Sequence, residues 1–239
     1  MRQLFGAIQF LTILPVPGSI APHRTVFFFP LVGAALGAAA AGVRWAAAQI
    51  LPESIAAVLA LLFLIAATGA LHEDGLADVF DAFRAGRTQE RIHAILKDSR
   101  VGSYGALAIV MASLLRWQSI AALGDRALPA LTAAAGASRG GMVLLALISK
   151  PAGEGLGKAF VLDLPRTAAI LAALQAAALG FLCGPAAGTL ALVVNVVAIL
   201  TARAYFHRHI SGVNGDCLGA TCQILEILTL LIYVWHPSF

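Results

Sequence analysis

The chain has 239 residues, of which 60% are hydrophobic and only 12% charged, with a net charge of +4. Soluble domains carry roughly a quarter charged residues, and a mean hydropathy of +0.88 excludes an ordinary soluble protein. The basic balance does not signal nucleic acid, because Lys and Arg sit in short segments between apolar runs, as membrane-protein loops have them.

From the N-terminus, Leu4–Leu14 is apolar but ends at Pro15 and Pro17, too short to span a bilayer. With only Arg2 positive and no small-residue cleavage site, it predicts an interfacial or re-entrant helix rather than a removed signal. Phe27–Ala48 is the first full span, with Gly33, Gly37 and Gly42 spaced for close helix approach. Ser54–Leu71 spans back after Pro52 and leads directly into Leu71–Arg100. Gly102–Leu123 and Leu128–Ser149 follow, joined by the turn Gly124-Asp125-Arg126. Lys150–Arg166 reads as a Gly-rich polar loop. Ala168–Cys183 and Ala187–Thr201 form a hairpin about Gly184-Pro185, then Arg203–Gly219 is a polar loop and Ala220–Trp235 the last span. The pattern predicts an all-α, polytopic membrane helix bundle of about seven transmembrane helices with cytoplasmic polar loops, residues 1–239 forming one integral membrane catalytic domain. Cys183, Cys217 and Cys222 have neither disulfide-framework nor zinc spacing and read as small apolar residues.

Leu71–Arg100 concentrates the charge. Of the 12 carboxylates, Glu73, Asp74, Asp78, Asp81, Glu90 and Asp98 lie there; of the 16 Lys and Arg, so do Arg84, Arg87, Arg91, Lys97 and Arg100. In a helix, Asp74, Asp78 and Asp81 fall at i, i+4 and i+7 on one face, roughly 10 Å along the axis. Like charges so placed repel by a few tenths of a kcal/mol per pair, and a cation between them reverses the sign. Hard oxygen ligands without Cys or ligand-spaced His point to Mg²⁺, which bridges carboxylates to substrate phosphate. A solvated loop helix also carries charge, but charge is scarce elsewhere in this chain.

With this stretch in the cytoplasm, alternation puts Arg2, Arg24, Lys150, Lys158, Arg166, Arg203 and Arg208 on the same side. Arg126 and Arg44 fall opposite. That bias obeys the positive-inside rule and lets the acidic stretch, the Gly-rich loop and the Asn214-Gly215-Asp216 loop share one site. Arg139, midway along its span, needs a polar cavity or a carboxylate. Arg116, nearer a span end, can snorkel. Lys97, Ser99 and Arg100 precede a helix start, where a phosphate is favoured and Ser99 can cap. Glu154–Lys158 lacks P-loop spacing.

The segments HEDGLADVFDAF, ILKDSRVGSYG, EGLGKAF and GDCLGAT, with the opening LFGAIQFLTILPVP, resemble the cobalamin synthase family of adenosylcobinamide-GDP ribazoletransferases along almost the whole chain. The resemblance implies a multi-pass enzyme of the cell inner membrane, its active site facing the cytoplasm. It implies Mg²⁺-dependent joining of adenosylcobinamide-GDP and α-ribazole, or its 5′-phosphate, giving adenosylcobalamin, or its phosphate, and GMP. On that basis Glu73, Asp74, Asp78 and Asp81 are the expected metal ligands, and Lys97, Ser99, Arg100, Arg139, Asn214 and Asp216 the expected substrate contacts. Asp78, Asp81 and Asp98 are the expected catalytic carboxylates, with Asp98 or Asp81 the base for the ribose hydroxyl. Asp74-Gly75-Leu76-Ala77-Asp78 is similar to the DGxxAR motif of CDP-alcohol phosphotransferases, but Asp78 stands where their Arg would be. That leaves a lipid-type phosphotransferase as the alternative enzyme and a secondary transporter as the non-enzyme alternative. The lipid bilayer is an expected partner, and the Gly- and Ala-rich spans permit a homo-oligomer.

Overall fold

A computed structural model describes residues 1–17, 20–98, 100–153 and 156–235. Among them the chain forms α1 (Arg2–Leu11), α2 (Phe29–Ala48), α3 (Glu53–Thr68), α4 (Leu71–Ala85), α5 (Gln89–Leu96), α6 (Ser103–Ala122), α7 (Ala127–Leu147), α8 (Leu156–Leu162), α9 (Arg166–Gly180), α10 (Pro185–Ile210) and α11 (Gly215–Trp235). Six helical segments are long and apolar enough to cross a membrane, or seven if the pair α3 and α4, bent by 87°, is counted as one span. Large apolar side chains on the outside, among them Leu107 and Val110 on α6, Leu174 on α9 and Val197 on α10, are exposed, as a lipid-facing surface requires.

The inner packing rests on small residues. At Gly33 and Gly37 of α2, an added Cβ would lie 2.4 Å from the Ala135 carbonyl oxygen and 2.1 Å from that of Leu131, both on α7. Only hydrogen lets the two backbones meet that closely, which is how helices gain dispersion energy where lipid supplies no hydrophobic drive. Against them packs one contiguous core of small and branched apolar side chains.

The break between α3 and α4 positions the acidic helix. Gly69 and Ala70 both take left-handed backbone, at φ of 61° and 58°. The second is strained for a side chain with a Cβ. The N-terminal segment docks on the break: the Ile13 N–H donates to the Ala67 carbonyl at 2.9 Å. The turn lays α4 across α11, where Gly75 comes so close that a Cβ would sit 2.9 Å from the Asp216 carbonyl oxygen.

Three sequence expectations change. The second span ends at Thr68, not Leu71, because the chain turns there. Most of the expected loop Arg203–Gly219 is helical: α10 continues to Ile210 and α11 begins at Gly215. The expected loop Lys150–Arg166 contains the short α8 and is tied to the next loop by a parallel bridge between Pro151 and Val213. Ala152 N–H donates to the Val213 carbonyl and Val213 N–H to that of Lys150, both at 2.8 Å.

Candidate active site

Beneath the acidic helix, inside the bundle, lies a buried ionic group drawn from four helices. Arg116 of α6 donates through Nη1 to Glu73 Oε1 of α4 at 2.7 Å and to Gln223 Oε1 of α11 at 3.1 Å. Its Nη2 meets Glu226 Oε1 at 2.8 Å. The other Glu226 oxygen pairs with Arg139 of α7, which also donates to the Ala135 carbonyl at 3.2 Å and to Ser138 Oγ at 3.1 Å. Two guanidiniums and two carboxylates balance, which is what makes charge tolerable at this depth. Arg116 is 2% exposed, so it faces inward and does not snorkel. Arg139 finds the carboxylate its position demands, and is thereby committed to protein rather than to a phosphate.

Above this layer opens a cavity of about 480 Å³. The acidic helix contributes Leu71, His72, Asp74 and Gly75 to its wall; the Asn214 loop and the start of α11 contribute Asn214, Gly215, Asp216 and Gly219; α8 contributes Gly157 and Phe160. The N-terminal segment closes it with Phe10 and residues Ala21, Pro22 and His23. The acidic, Gly-rich and Asn-Gly-Asp segments therefore do share one cavity. Phe10 and Phe160 form its aromatic wall, 6.3 Å apart between centroids and each stacked on the buried Phe29, at 5.5 and 6.1 Å.

The carboxylates of the acidic helix divide between tasks. Asp78 feels Asp74, Asp216 and Asp81, and burial first, then those like charges, push its carboxyl up to about 6. Asp216 accepts from the Asn214 amide at 2.8 Å, while Asn214 Oδ1 caps α11 by accepting the Cys217 N–H at 3.0 Å. Asp81 turns the other way. Its Oδ2 accepts the Gly102 N–H at 2.7 Å and its Oδ1 the Gly105 N–H at 2.9 Å. It thus satisfies the first amides of α6, whose own cap position is a glycine without a side chain. Glu73 is held by Arg116 in the buried layer.

Asp98 and Arg100 are occupied with each other: Arg100 Nη2 donates to Asp98 Oδ2 at 2.6 Å and its Nε to Oδ1 at 3.0 Å. Those bonds from Arg100 hold the Asp98 carboxyl down at about 2. Neither residue, nor the exposed Lys97, lines the cavity. Ser99, Glu154 and Gly155 lie outside the described residues. Sequence reasoning missed Glu226 and Gln223, although a lone carboxylate within the last apolar run was the signal that would have found the partner of Arg139.

The donor set suits a hard cation in one way only. Among the described residues no group of three His, Cys, Asp or Glu side chains stands close enough to enclose a metal. The mutual repulsion of Asp74, Asp78 and Asp216 nevertheless invites positive charge. Mg²⁺ fits, since it is bound through one or two carboxylates and completes its shell with water and substrate phosphate.

The family model described as cobalamin-5-phosphate synthase matches residues 3–234. A relative from Ralstonia nicotianae, named adenosylcobinamide-GDP ribazoletransferase, is 39% identical over 99% of this chain and 96% of its own length. Relatives of the same name from Geotalea daltonii and Azorhizobium caulinodans are 36% and 37% identical, covering 98% and 95% of this chain and 97% and 92% of their own. No solved structure matches.

Proposed function

The chain belongs to the cobalamin-5-phosphate synthase family, and from that premise we propose that it joins adenosylcobinamide-GDP to α-ribazole, or to its 5′-phosphate, with release of GMP. The observation that carries this reading is the cavity in which Asp74 and Asp216 meet beside Asp78.

A hydroxyl oxygen of the acceptor forms a new P–O bond to the phosphorus that carries the cobinamide. The bond from that phosphorus to the bridging oxygen breaks, its electron pair leaves with GMP, and the hydroxyl proton is released. Such transfers need positioning and electrostatics more than a protein nucleophile. One or two of Asp74, Asp78 and Asp216 would hold Mg²⁺ directly, the rest adding negative field, and the ion would supply neutralisation of the diphosphate charge. Arg116 keeps Glu73, and with it the first turn of α4, in fixed register below the cavity. Asp81 holds the opening of α6 against the same helix. Phe10 and Phe160 offer apolar surface to a flat aromatic base. Lys97, exposed shortly before the Gly102 amide that Asp81 holds, adds positive field for an incoming diphosphate, while the charge of Arg100 is balanced by Asp98.

The cavity end is assigned to the cytoplasm and the bilayer to the cell inner membrane. In support, Arg203 and Arg208 on the last turns of α10, with Lys150 after α7 and Lys158 on α8, cluster at that end.

The test is GMP release by the purified protein in lipid nanodiscs, with both substrates and titrated Mg²⁺. The wild-type protein should require Mg²⁺, and Asp78→Asn should lose at least about a hundredfold at limiting Mg²⁺. No release by the wild-type protein, or undiminished release by the variant, refutes the reading; release with a CDP-alcohol instead would identify a lipid enzyme.

A further inference from the structure

The acidic helix borders a second hollow on its other side. Leu71, Asp74 and Gly75 face the 480 Å³ cavity, whereas Val79, Phe80, Phe83 and Arg84 line a separate cleft of about 400 Å³ between α4, α10 and α11. Buried Val79, Phe83, Phe206 and Leu225 form its floor, and Phe80 and Tyr205, 39% and 41% exposed, flank its mouth. Its volume falls in the range of roughly 300–1,000 Å³ that small-molecule sites occupy.

Polarity changes along the cleft in one direction. From Ala198 to Tyr205 its wall follows α10 for about 10 Å, beginning well inside the span. Phe83 packs on Tyr205 and His209 at 5.5 and 5.7 Å, which sets the Arg84 end of α4 beside the last turns of α10. Arg84 is exposed and makes no ion pair among the described residues; its guanidinium stands 5.9 Å over the Tyr104 ring, near the outer limit of a cation–π contact. Arg87, Arg91 and Arg208 add exposed positive charge where α4, α5 and α10 meet, against the carboxylate of Glu90.

The rest of the lining is short of hydrogen-bonding groups. Thr221 already donates to the Cys217 carbonyl at 2.7 Å, leaving the Thr201 and Tyr205 hydroxyls. A nucleotide or nucleoside seated here would lose water from its polar groups without compensation. Val197 and Leu200 on the same stretch of α10 are exposed, so the mouth lies in the lipid-facing surface. An apolar slot that starts within the bilayer and ends at a cation complements a phospholipid, chain inward and phosphate outward, and the surplus of arginines favours a net negative headgroup.

We infer that this cleft binds one anionic phospholipid, an acyl chain lying along α10 and its phosphodiester paired with Arg84. Bound there, the lipid braces α4 against α10 and α11 from the side opposite the Asp74 cavity. The site does not depend on the transfer proposed above.

The experiment is native mass spectrometry of the full chain in dodecyl maltoside micelles, titrated with dioleoyl phosphatidylglycerol or dioleoyl phosphatidylcholine, for wild type, Arg84→Gln and Ala202→Trp. Wild type should hold one phosphatidylglycerol roughly five- to tenfold more tightly than phosphatidylcholine. Arg84→Gln should erase that preference. Ala202→Trp, whose ring fills the cleft, should weaken the uptake of both lipids by at least about tenfold. If Ala202→Trp does not fold, Ala198→Phe takes its place under the same requirement. Equal retention of the two lipids by wild type, or unchanged phosphatidylglycerol binding in either variant, overturns the inference. So does displacement of the bound lipid by free glycerol phosphate, which would reveal a phosphate site with no slot for a chain. A dimer in wild type that the cleft-filling variant dissolves, with lipid uptake intact, overturns it too, by making a second copy the occupant.

Discussion

Replacing Glu226 by leucine removes one negative charge from a buried group of two carboxylates and two guanidiniums, Glu73, Glu226, Arg116 and Arg139. Arg116 keeps its bond to Glu73 at 2.7 Å. Arg139 is left with two neutral acceptors, the Ala135 carbonyl at 3.2 Å and Ser138 Oγ at 3.1 Å, at 1% exposure. Stranding a buried charge in this way costs about 3–5 kcal/mol. Arg139→Met strands Glu226 less severely, since Arg116 still reaches it at 2.8 Å, and should cost about 2–4 kcal/mol. Together the two changes restore neutrality, with Arg116 and Glu73 as the surviving pair and apolar side chains filling the space. The double variant should therefore lie within about 2 kcal/mol of wild type, a coupling of at least about 3 kcal/mol. The assay is denaturant titration in detergent micelles, followed by tryptophan fluorescence and by GMP release. Singles within about 1 kcal/mol of wild type, or costs that simply add, would refute the idea that this group balances charge across four helices.

Asp78 sets a pH dependence. Burial, then the like charges of Asp74, Asp216 and Asp81, push its carboxyl up to about 6 from the ordinary 3.8, so ionising it in the fold is unfavourable. Without Mg²⁺, stability should fall as pH rises from about 4 to 6 and stay lower above, and added Mg²⁺ should restore it at pH 7.5 but not at pH 5. Thermal unfolding with and without the ion checks this, and Asp78→Asn should abolish both trends. Asp81→Ala should destabilise the protein by about 1–3 kcal/mol by orphaning the Gly102 and Gly105 amides. Gly105→Ala should do comparable damage, its Cβ falling 2.3 Å from Asp81 Oδ2. Hydrogen exchange at the first turn of α6 reports both.

Some of this architecture is written locally. Hydropathy alone places the spans, because bilayer thickness demands a run of apolar residues that neighbours in sequence must supply together. The helical period of Asp74, Asp78 and Asp81 is likewise a local fact, as α4 bears out. Gly33 and Gly37 announce a tight helix contact without saying with what; only packing supplies α7.

What tertiary structure decides is which side chains are spent. Sequence groups Glu73, Asp74, Asp78 and Asp81 by proximity, but the turn at Gly69 and Ala70 and the crossing of α11 deal them to different places: Glu73 to the ionic layer, Asp74 to the cavity wall, Asp78 beside it and Asp81 to the cap of α6. Arg139 advertises a need for a carboxylate, yet its partner Glu226 stands 87 residues away and is found only once α7 and α11 lie side by side. His72 looks like a neighbour of acids in sequence and emerges in the fold as a buried ring whose nitrogens have no hydrogen-bond partner among the described residues. Periodicity and hydropathy are properties of a few consecutive turns, whereas the pairing of a charge depends on which distant helix arrives beside it.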